Sequence, residues 1–302
     1  MAVDNSKKYY YSEVFTSIQG EGAYTGQHTL WLRYFLCNLQ CNGFGQIDPT
    51  NPDTYELPYE DFDVSTVNRV EDLPVWDKGC DSSYTWAKKY KHLMGQRTPA
   101  ELVQTLMYYN TNDYNMTGQF LHPRSGQRAH LCFTGGEPLM KTSQKCSKDI
   151  LEIFRDNKNE PGGVTFETNG TQKLTQEFKD FMAEDRDWQL FWSVSPKLWT
   201  VAGEKADKAI KPEIVKEYME VSNEGQLKFV VGNKEEQWNE LEGAITQFRK
   251  VGIDWPVYIM PVGATLEGQD EVAREVAWEA LKRGYNVSAR AHVYLFGNQI
   301  GT

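Results

Sequence analysis

The sequence contains no apolar run of 18 residues, which excludes a membrane-spanning helix of ordinary length. The N-terminal stretch MAVDNSKKYYY lacks the apolar core of a secretory signal, so a reducing cytoplasm is the expected location. Cysteine is scarce: there are five, and an odd number disfavours a fully paired disulfide framework. Basic charge is also short, with 32 Lys and Arg against 42 Asp and Glu and a formal net charge of −10. Neutralising phosphates needs clustered cations, so neither a nucleic-acid partner nor a membrane partner is expected. A few buried basic groups would still suffice to grip a small anion. No convincing internal repeat is present.

What is present is a chain of 302 residues, 40% apolar and 13% aromatic, enough for a sizeable core and a cavity. Two polar stretches interrupt it. Residues 47–79 carry four prolines, many acids and no periodicity, and residues 110–128 are a second excursion. Structureless stretches of that length are uncommon unless functional. Between and after them strands are expected at 29–36, 130–136, 163–170, 190–197, 226–232, 255–263 and 285–295. Helices are expected over most of 84–108 and at 142–156, 171–184, 203–220, 233–250 and 267–283. Strands alternating with helices imply a parallel sheet, with the ligand over the carboxyl ends of the strands. Seven strands in one cycle indicate an α/β fold of the open, partial TIM-like barrel type, a single domain over 1–302 with insertions at 42–79 and 110–128.

The stretch LCNLQCNGFG at 36–45 holds Cys37 and Cys41 with three residues between them, and Phe44 where a third nearby ligand would be sought. Beyond the acidic excursion stands GCDSSYTW at 79–86, where Cys80 is the obvious third thiol once residues 42–79 are looped out. Loop-closure cost grows slowly with length, so such an excursion is tolerable. Three thiolates suit an iron–sulfur site with one open iron, zinc would more often take four protein ligands, and unrelated cysteines are the plain alternative. Cys132 and Cys146 read as buried thiols. In TGGEP at 134–138 the adjacent glycines permit close backbone approach, although a simple strand-to-helix turn has the same composition.

Taken in order, FTSIQGEGAYTG (15–26), CNLQC (37–41), CDSSYTW (80–86), TGGEP (134–138), ETNGT (167–171), SVSPK (193–197), MPVG (260–263) and ARAHVYLFGNQIGT (289–302) form a strong set. The chain resembles the radical S-adenosylmethionine superfamily and, within it, the 7-carboxy-7-deazaguanine synthase family. That family usually carries a compact cysteine triad running into Asp-Thr-x-Tyr-Thr-Trp. Here the third cysteine is displaced to Cys80, and Ser82 replaces the usual threonine, keeping a hydroxyl.

The resemblance implies that Cys37, Cys41 and Cys80 hold a 4Fe–4S cluster whose open iron takes S-adenosylmethionine, reduced by an external donor such as flavodoxin. It implies that Thr134, Gly135, Gly136 and Glu137 face the methionine moiety, with Glu137 meeting its ammonium, and that Ser193, Ser195 and Lys197 hold the ribose or carboxylate. The alternative for Lys197 is a plain surface charge. The implied substrate is 6-carboxy-5,6,7,8-tetrahydropterin, met by Gln19, Glu21 and Gly22 of an N-terminal substrate loop implied at 15–26, and by Glu167 and Asn169. Arg33 would pair with its carboxylate, a bridge to a neighbouring acid being the alternative. His292, expected with Arg290 on one face of the last strand, would shape the pterin pocket or serve as a core histidine. Mg²⁺ is implied, with Ser82 as its protein ligand and Asp81 beside it. A tail folded over the site would offer its terminal carboxylate. The implied reaction is a radical ring contraction with loss of ammonia, a carbon–nitrogen lyase step, carried out by a homodimer. Two rivals remain: a related radical enzyme acting on another heterocycle or activating a glycyl-radical partner, and a non-catalytic metal-binding protein that engages a partner through 47–79.

Overall fold

A computed structural model describes residues 3, 5–184, 186–270, 272–297 and 300–301. Among them one nine-stranded sheet runs through the chain: β1 (Tyr9–Ile18), β2 (His28–Tyr34), β3 (Gly95–Arg97), β4 (His130–Gly135), β5 (Gly163–Thr168), β6 (Gln189–Val194), β7 (Gly225–Val231), β8 (Val257–Pro261) and β9 (Asn286–Val287). The order is β3-β1-β2-β4-β5-β6-β7-β8-β9. From β2 onward every neighbouring pair is parallel, while β1 is antiparallel to both β2 and β3. This is an open, partial barrel flanked by helices.

The expected strands are the parallel ones. Their interiors are almost wholly buried, as strands covered on both sides should be. Alternation decides which face each residue serves. Phe133, Phe166 and Trp192 point to the helix side, with ring centroids 5.0 Å apart for Phe133–Phe166 and 5.5 Å apart for Phe166–Trp192. They join Leu32, Leu131, Val164, Leu227 and Phe229 in the main core.

Four expectations are corrected. FTSI at 15–18 is the end of strand β1, not loop; its aromatic and β-branched residues pair with β2, and the loop proper is 19–27, closed by Gln19 N–H to Gln27 O at 2.7 Å. Residues 84–108 are not one helix. A 3₁₀ stretch Lys88–Leu93 and strand β3 come first, and the helix Pro99–Tyr109 starts at a capping box of Thr98 and Glu101, because the residue before proline is held extended. Residues 203–220 break into Ala206–Ala209 and Pro212–Met219 after the short helix Trp199–Ala202, interrupted by a left-handed Gly203 (φ 70°) and by Pro212. The last strand is two residues long. Past Ser288, whose N–H still reaches Ile259 O at 2.8 Å, Ala291 N–H turns to Gly20 O at 2.9 Å and a helix, Ala291–Phe296, follows. Arg290 therefore caps that helix and His292 lies within it, rather than both sharing a strand face.

Residues 42–79 contain only short turns, with helical pieces at Pro52–Thr54, Pro58–Asp61, Val64–Thr66 and Val70–Asp72. They are not loose. Tyr59, Val70, Leu73 and Trp76 are buried with Phe35, Tyr84, Tyr90 and Met94 in a second apolar cluster. Among the described residues no helix is long and apolar enough to cross a membrane.

Candidate functional site

A cavity of about 300 Å³ opens at the carboxyl ends of the parallel strands. One row of side chains crosses its floor in register. Arg33 of β2 stands opposite Thr134 of β4, and Glu167 of β5 stands opposite Ser193 of β6. Thr134 Oγ1 donates to Glu167 Oε2 at 3.2 Å, which joins the two pairs. These are the residues that alternate with the buried aromatics, so one strand periodicity makes both the core and the polar floor.

The thiols stand above this floor. Cys37, Cys41 and Cys80 line the same cavity although 38 residues (42–79) lie between the second and the third. Two backbone hydrogen bonds bring the distant parts together: Gly79 N–H donates to Phe44 O at 2.8 Å, and Leu36 N–H donates to Thr85 O at 2.7 Å. Phe44 is thus a closing residue of the loop and part of the wall, packed against Lys197 with the ammonium 5.8 Å from the ring centroid. Gly135 and Gly136 let the β4 end press on this loop: a Cβ at Gly136 would fall 2.1 Å from Leu36 O. Asn169 Nδ2 donates to Asn38 Oδ1 at 3.1 Å and lies 3.9 Å from Cys37 Sγ.

All three thiols are free, and burial pushes each up, Cys37 to about 12. Burial and mutual repulsion disfavour thiolate charge on the three, and a bound cationic centre would add to the compensation that Lys197 gives Cys37 and Cys41. The donor set therefore fits an iron–sulfur cluster. Among the described residues no three His, Cys, Asp or Glu side chains converge on a single ion.

Charge on the substrate side is arranged in pairs. Arg33 Nε is 2.7 Å from Glu13 Oε2, its cross-strand partner on β1, and Tyr84 OH donates to the same oxygen at 2.7 Å. The Arg33–Glu13 bridge named as an alternative is present, and Arg33 lines the cavity as well. Glu21 is ion-paired with Lys228 and lies 3.1 Å from Arg290 Nε. Burial alone would raise its carboxyl, but Lys228, Arg290 and His292 outweigh that and hold it well below the usual carboxylate range. Lys228 Nζ also stands 3.8 Å from Glu167 Oε1, which accepts from Gln19 Nε2 at 3.2 Å. Arg290 reaches on to Asp81 Oδ2 at 3.1 Å and so joins the N-terminal loop to the residue after Cys80. His292 sits against Gly20, where any Cβ would collide with its ring, and burial holds its imidazole below its ordinary value.

Sixteen of the eighteen residues expected at the site line this cavity; Glu137 and Gly22 do not. The Glu137 carboxylate is fully buried beneath it, accepting from Leu139 N–H (2.9 Å), Thr168 Oγ1 (2.7 Å) and Asn169 N–H (2.8 Å), so it ties the β4 and β5 ends together. Gly22 makes the left-handed turn (φ 70°) that seats the loop, donating its N–H to Ser288 Oγ at 2.8 Å. Ser195 Oγ accepts from Lys197 Nζ at 3.0 Å, and Ser82 Oγ lies 3.5 Å from Cys80 Sγ. Ile300 and Gly301 also line the cavity, whereas the terminal carboxylate of Thr302 falls outside the described residues.

No family model matches the chain. It is 25% identical over 300 residues to the 7-carboxy-7-deazaguanine synthase of Rhodopirellula baltica, covering 96% of this chain and 88% of that one. It is 26% identical over 288 residues to the enzyme of the same name from Hyperthermus butylicus, covering 93% and 90%. The chain is thus similar along nearly its whole length to 7-carboxy-7-deazaguanine synthases, at 23–26% identity. Among solved structures, QueE from Escherichia coli aligns over 94% of this chain and 95% of its own, at TM-score 0.49 and 17% identity.

The residue that sequence reasoning missed is Lys228. It is buried, 5% exposed, between two carboxylates of the cavity. The only available signal was a lysine inside the otherwise apolar strand QLKFVVG (226–232), where an unpaired ammonium would be costly. Arg290 was noticed but not placed at the site. Its contacts with Glu21 and Asp81 span 269 and 209 residues of sequence.

Proposed function

We propose that this chain is a 7-carboxy-7-deazaguanine synthase, acting on 6-carboxy-5,6,7,8-tetrahydropterin by radical ring contraction with loss of ammonia. The observation that carries the reading is one cavity in which three free thiols face a charged polar floor built from consecutive strand ends. Cys37, Cys41 and Cys80 would hold the 4Fe–4S cluster. When bound with S-adenosylmethionine and reduced by a donor such as flavodoxin, the cluster supplies a 5′-deoxyadenosyl radical that removes hydrogen from C6 of the substrate.

The chain's own residues bind and orient. Thr134, Ser193, Ser195 and Lys197 offer hydroxyls and an ammonium on the cofactor side. Glu21 and Glu167, both within reach of the Lys228 ammonium, serve as acceptors for ring N–H groups, and Gln19 and Asn169 bracket the ring. Arg33 presents its guanidinium to the substrate carboxylate while Glu13 holds it from behind. Ser82 is the protein's oxygen for Mg²⁺. Asp81 is engaged by Arg290, so Ser82 would be the one side-chain oxygen offered here to such an ion, which would help orient the substrate carboxylate.

Residues 47–79 bury their aromatics against the body of the protein rather than displaying them, which weakens the partner-binding reading. Anaerobic turnover of reconstituted, reduced protein with S-adenosylmethionine and 6-carboxytetrahydropterin tests the proposal by mass spectrometry. Deazaguanine acid and 5′-deoxyadenosine are expected, more slowly without Mg²⁺ and with a deeper Mg²⁺ dependence in Ser82→Ala. 5′-Deoxyadenosine without the deazaguanine would favour another heterocycle, and neither product would overturn the enzyme reading.

A further inference from the structure

The loop that carries Cys41 is held from outside the polar floor by one acid. Glu204 follows the short helix Trp199–Ala202, which stops at left-handed Gly203. A single carboxylate oxygen, Glu204 Oε1, accepts both the Gln40 N–H at 2.7 Å and the Cys41 N–H at 2.8 Å. The bend it grips is unusual, because Cys41 itself has φ +54°, a region a residue with a side chain seldom enters unless its surroundings impose it. The next contact comes from the same turn. Gly43 N–H donates to Ala202 O at 3.0 Å, and a Cβ at Gly43 would lie 2.5 Å from Gly203 N. Residues 202–204 thus take the amides of 40, 41 and 43, where the chain passes from the paired thiols into the long polar segment.

We propose that Glu204 is a positioning residue for the thiolate loop: it fixes the left-handed bend at Cys41 and keeps two amide N–H groups and a negative charge where they favour a low reduction potential of the bound cluster. The inference rests on the reading of Cys37, Cys41 and Cys80 as cluster ligands. The physical ground is that cluster potential follows net charge and hydrogen bonds to sulfur. Amides committed to Glu204 do not donate to sulfur, and its carboxylate adds negative charge beside the loop. Because one oxygen accepts both bonds, the two parts of the role are separable. Glu204→Gln keeps a carbonyl oxygen at the same reach and removes the charge, whereas Glu204→Ala leaves two amides without their acceptor.

The test compares wild type, Glu204→Gln and Glu204→Ala in two states. In the apoprotein, alkylation of Cys41 is followed by mass spectrometry with buried Cys132 as internal reference. Alkylation should be roughly tenfold faster in the Ala variant and near wild type in the Gln variant, since two hydrogen bonds of modest strength hold the bend. In the reconstituted holoprotein, iron content, the electron paramagnetic resonance signal and the midpoint potential are measured. The Gln variant should load iron normally with a potential shifted upward, and the Ala variant should load less iron with an altered signal. Thermal unfolding of the three apoproteins separates a local effect from general misfolding, and rescue in the Gln variant carries the test if the Ala variant unfolds early. The clamp is overturned if the Ala variant matches wild type in alkylation and loading, or if Gln is no better than Ala. An unmoved potential in a fully loaded Gln variant overturns the electrostatic part. A wild type that takes up no cluster defeats the thiol-ligand reading itself, a result that differs from any of these.

Discussion

Two regions wall the same cavity and are held by different means. The parallel strands β4–β7 present alternating residues, apolar toward the helices and polar toward the cavity, and their backbones are paired on both sides. Residues 42–94 have almost no ladder. They hang on an aromatic cluster and on local turns such as Asn51 and Asp63 accepting from their own backbone two residues on. Tyr90 OH donates to Tyr59 O, Trp76 packs on Phe62 at 5.4 Å, and the segment is pinned at its ends by Gly79 to Phe44 and Thr85 to Leu36. The comparison teaches that a site wall can be made without regular structure if a small apolar core anchors it and few bonds close it. It also implies that the two walls differ in cooperativity: the sheet opens with the whole molecule, the segment by itself.

The largest effect should come from the thiol that the segment delivers. Cys80→Ala is expected to abolish the site-differentiated cluster in anaerobically reconstituted protein by Mössbauer spectroscopy, while Phe44→Leu leaves ligation intact. A wild-type spectrum from the Cys80 variant would remove that residue from the ligand set.

Next come the two anchors of the comparison. Trp76→Ala and Trp192→Ala should each cost about 3–5 kcal/mol locally, because both are buried. Hydrogen exchange should then diverge, with Trp76→Ala exposing amides in 57–94 only and Trp192→Ala weakening β4–β7 together. Uniform loss of protection from Trp76→Ala would erase the proposed difference between the regions.

Arg33 tests where they meet, since Tyr84 of the irregular segment and Glu13 of the sheet share it. Arg33→Gln should lower stability by roughly 3 kcal/mol in urea unfolding, because Glu13 is left buried without its cation. Adding Glu13→Gln should recover much of that. Pterin binding by calorimetry should stay weak in both variants, and recovery of binding in the double variant would argue against a role for the guanidinium in recognition.

A pH-dependent effect, of comparable size at most, belongs to the sheet alone. Burial pushes the Glu137 carboxyl up to about 7 against three donors that favour its charge. A raised carboxyl binds its proton more tightly folded than unfolded, so its contribution is full below the ordinary carboxylate range and is lost as pH rises through 7. Between about pH 5 and pH 8 the wild type should therefore lose up to ~3 kcal/mol relative to Glu137→Gln. Urea midpoints at the two values measure the slope, and a wild type that gains stability with pH would show that the donors win over burial.

Much of this was legible in order. Alternation of strand-like with helical stretches sufficed for the parallel sheet, because parallel neighbours need a crossover between them and a helix supplies it. The antiparallel β1 was not legible, since its FTSI end runs straight into the glycine loop and looks like part of it. Nor was the helical ending at Ala291–Phe296, whose turn away from the sheet is marked by Ala291 N–H donating to Gly20 O.

What the sequence by itself determined is the inventory: three cysteines in two loop motifs, a glycine pair at one strand end, and polar residues such as Thr134, Glu167 and Ser193 each following a large apolar one. Those follow from residue type and period, which need no knowledge of distant neighbours. Only the tertiary structure decided the pairings. Lys228 lies between Glu21 and Glu167, Arg290 joins Glu21 to Asp81, Glu137 turns under the floor rather than into the cavity, and Glu204 takes the amides beside Cys41. The physical reason is that a buried charge is tolerable only with a partner in reach, and here the partners lie on strand ends and loops tens to hundreds of residues apart, which meet only when the sheet curls.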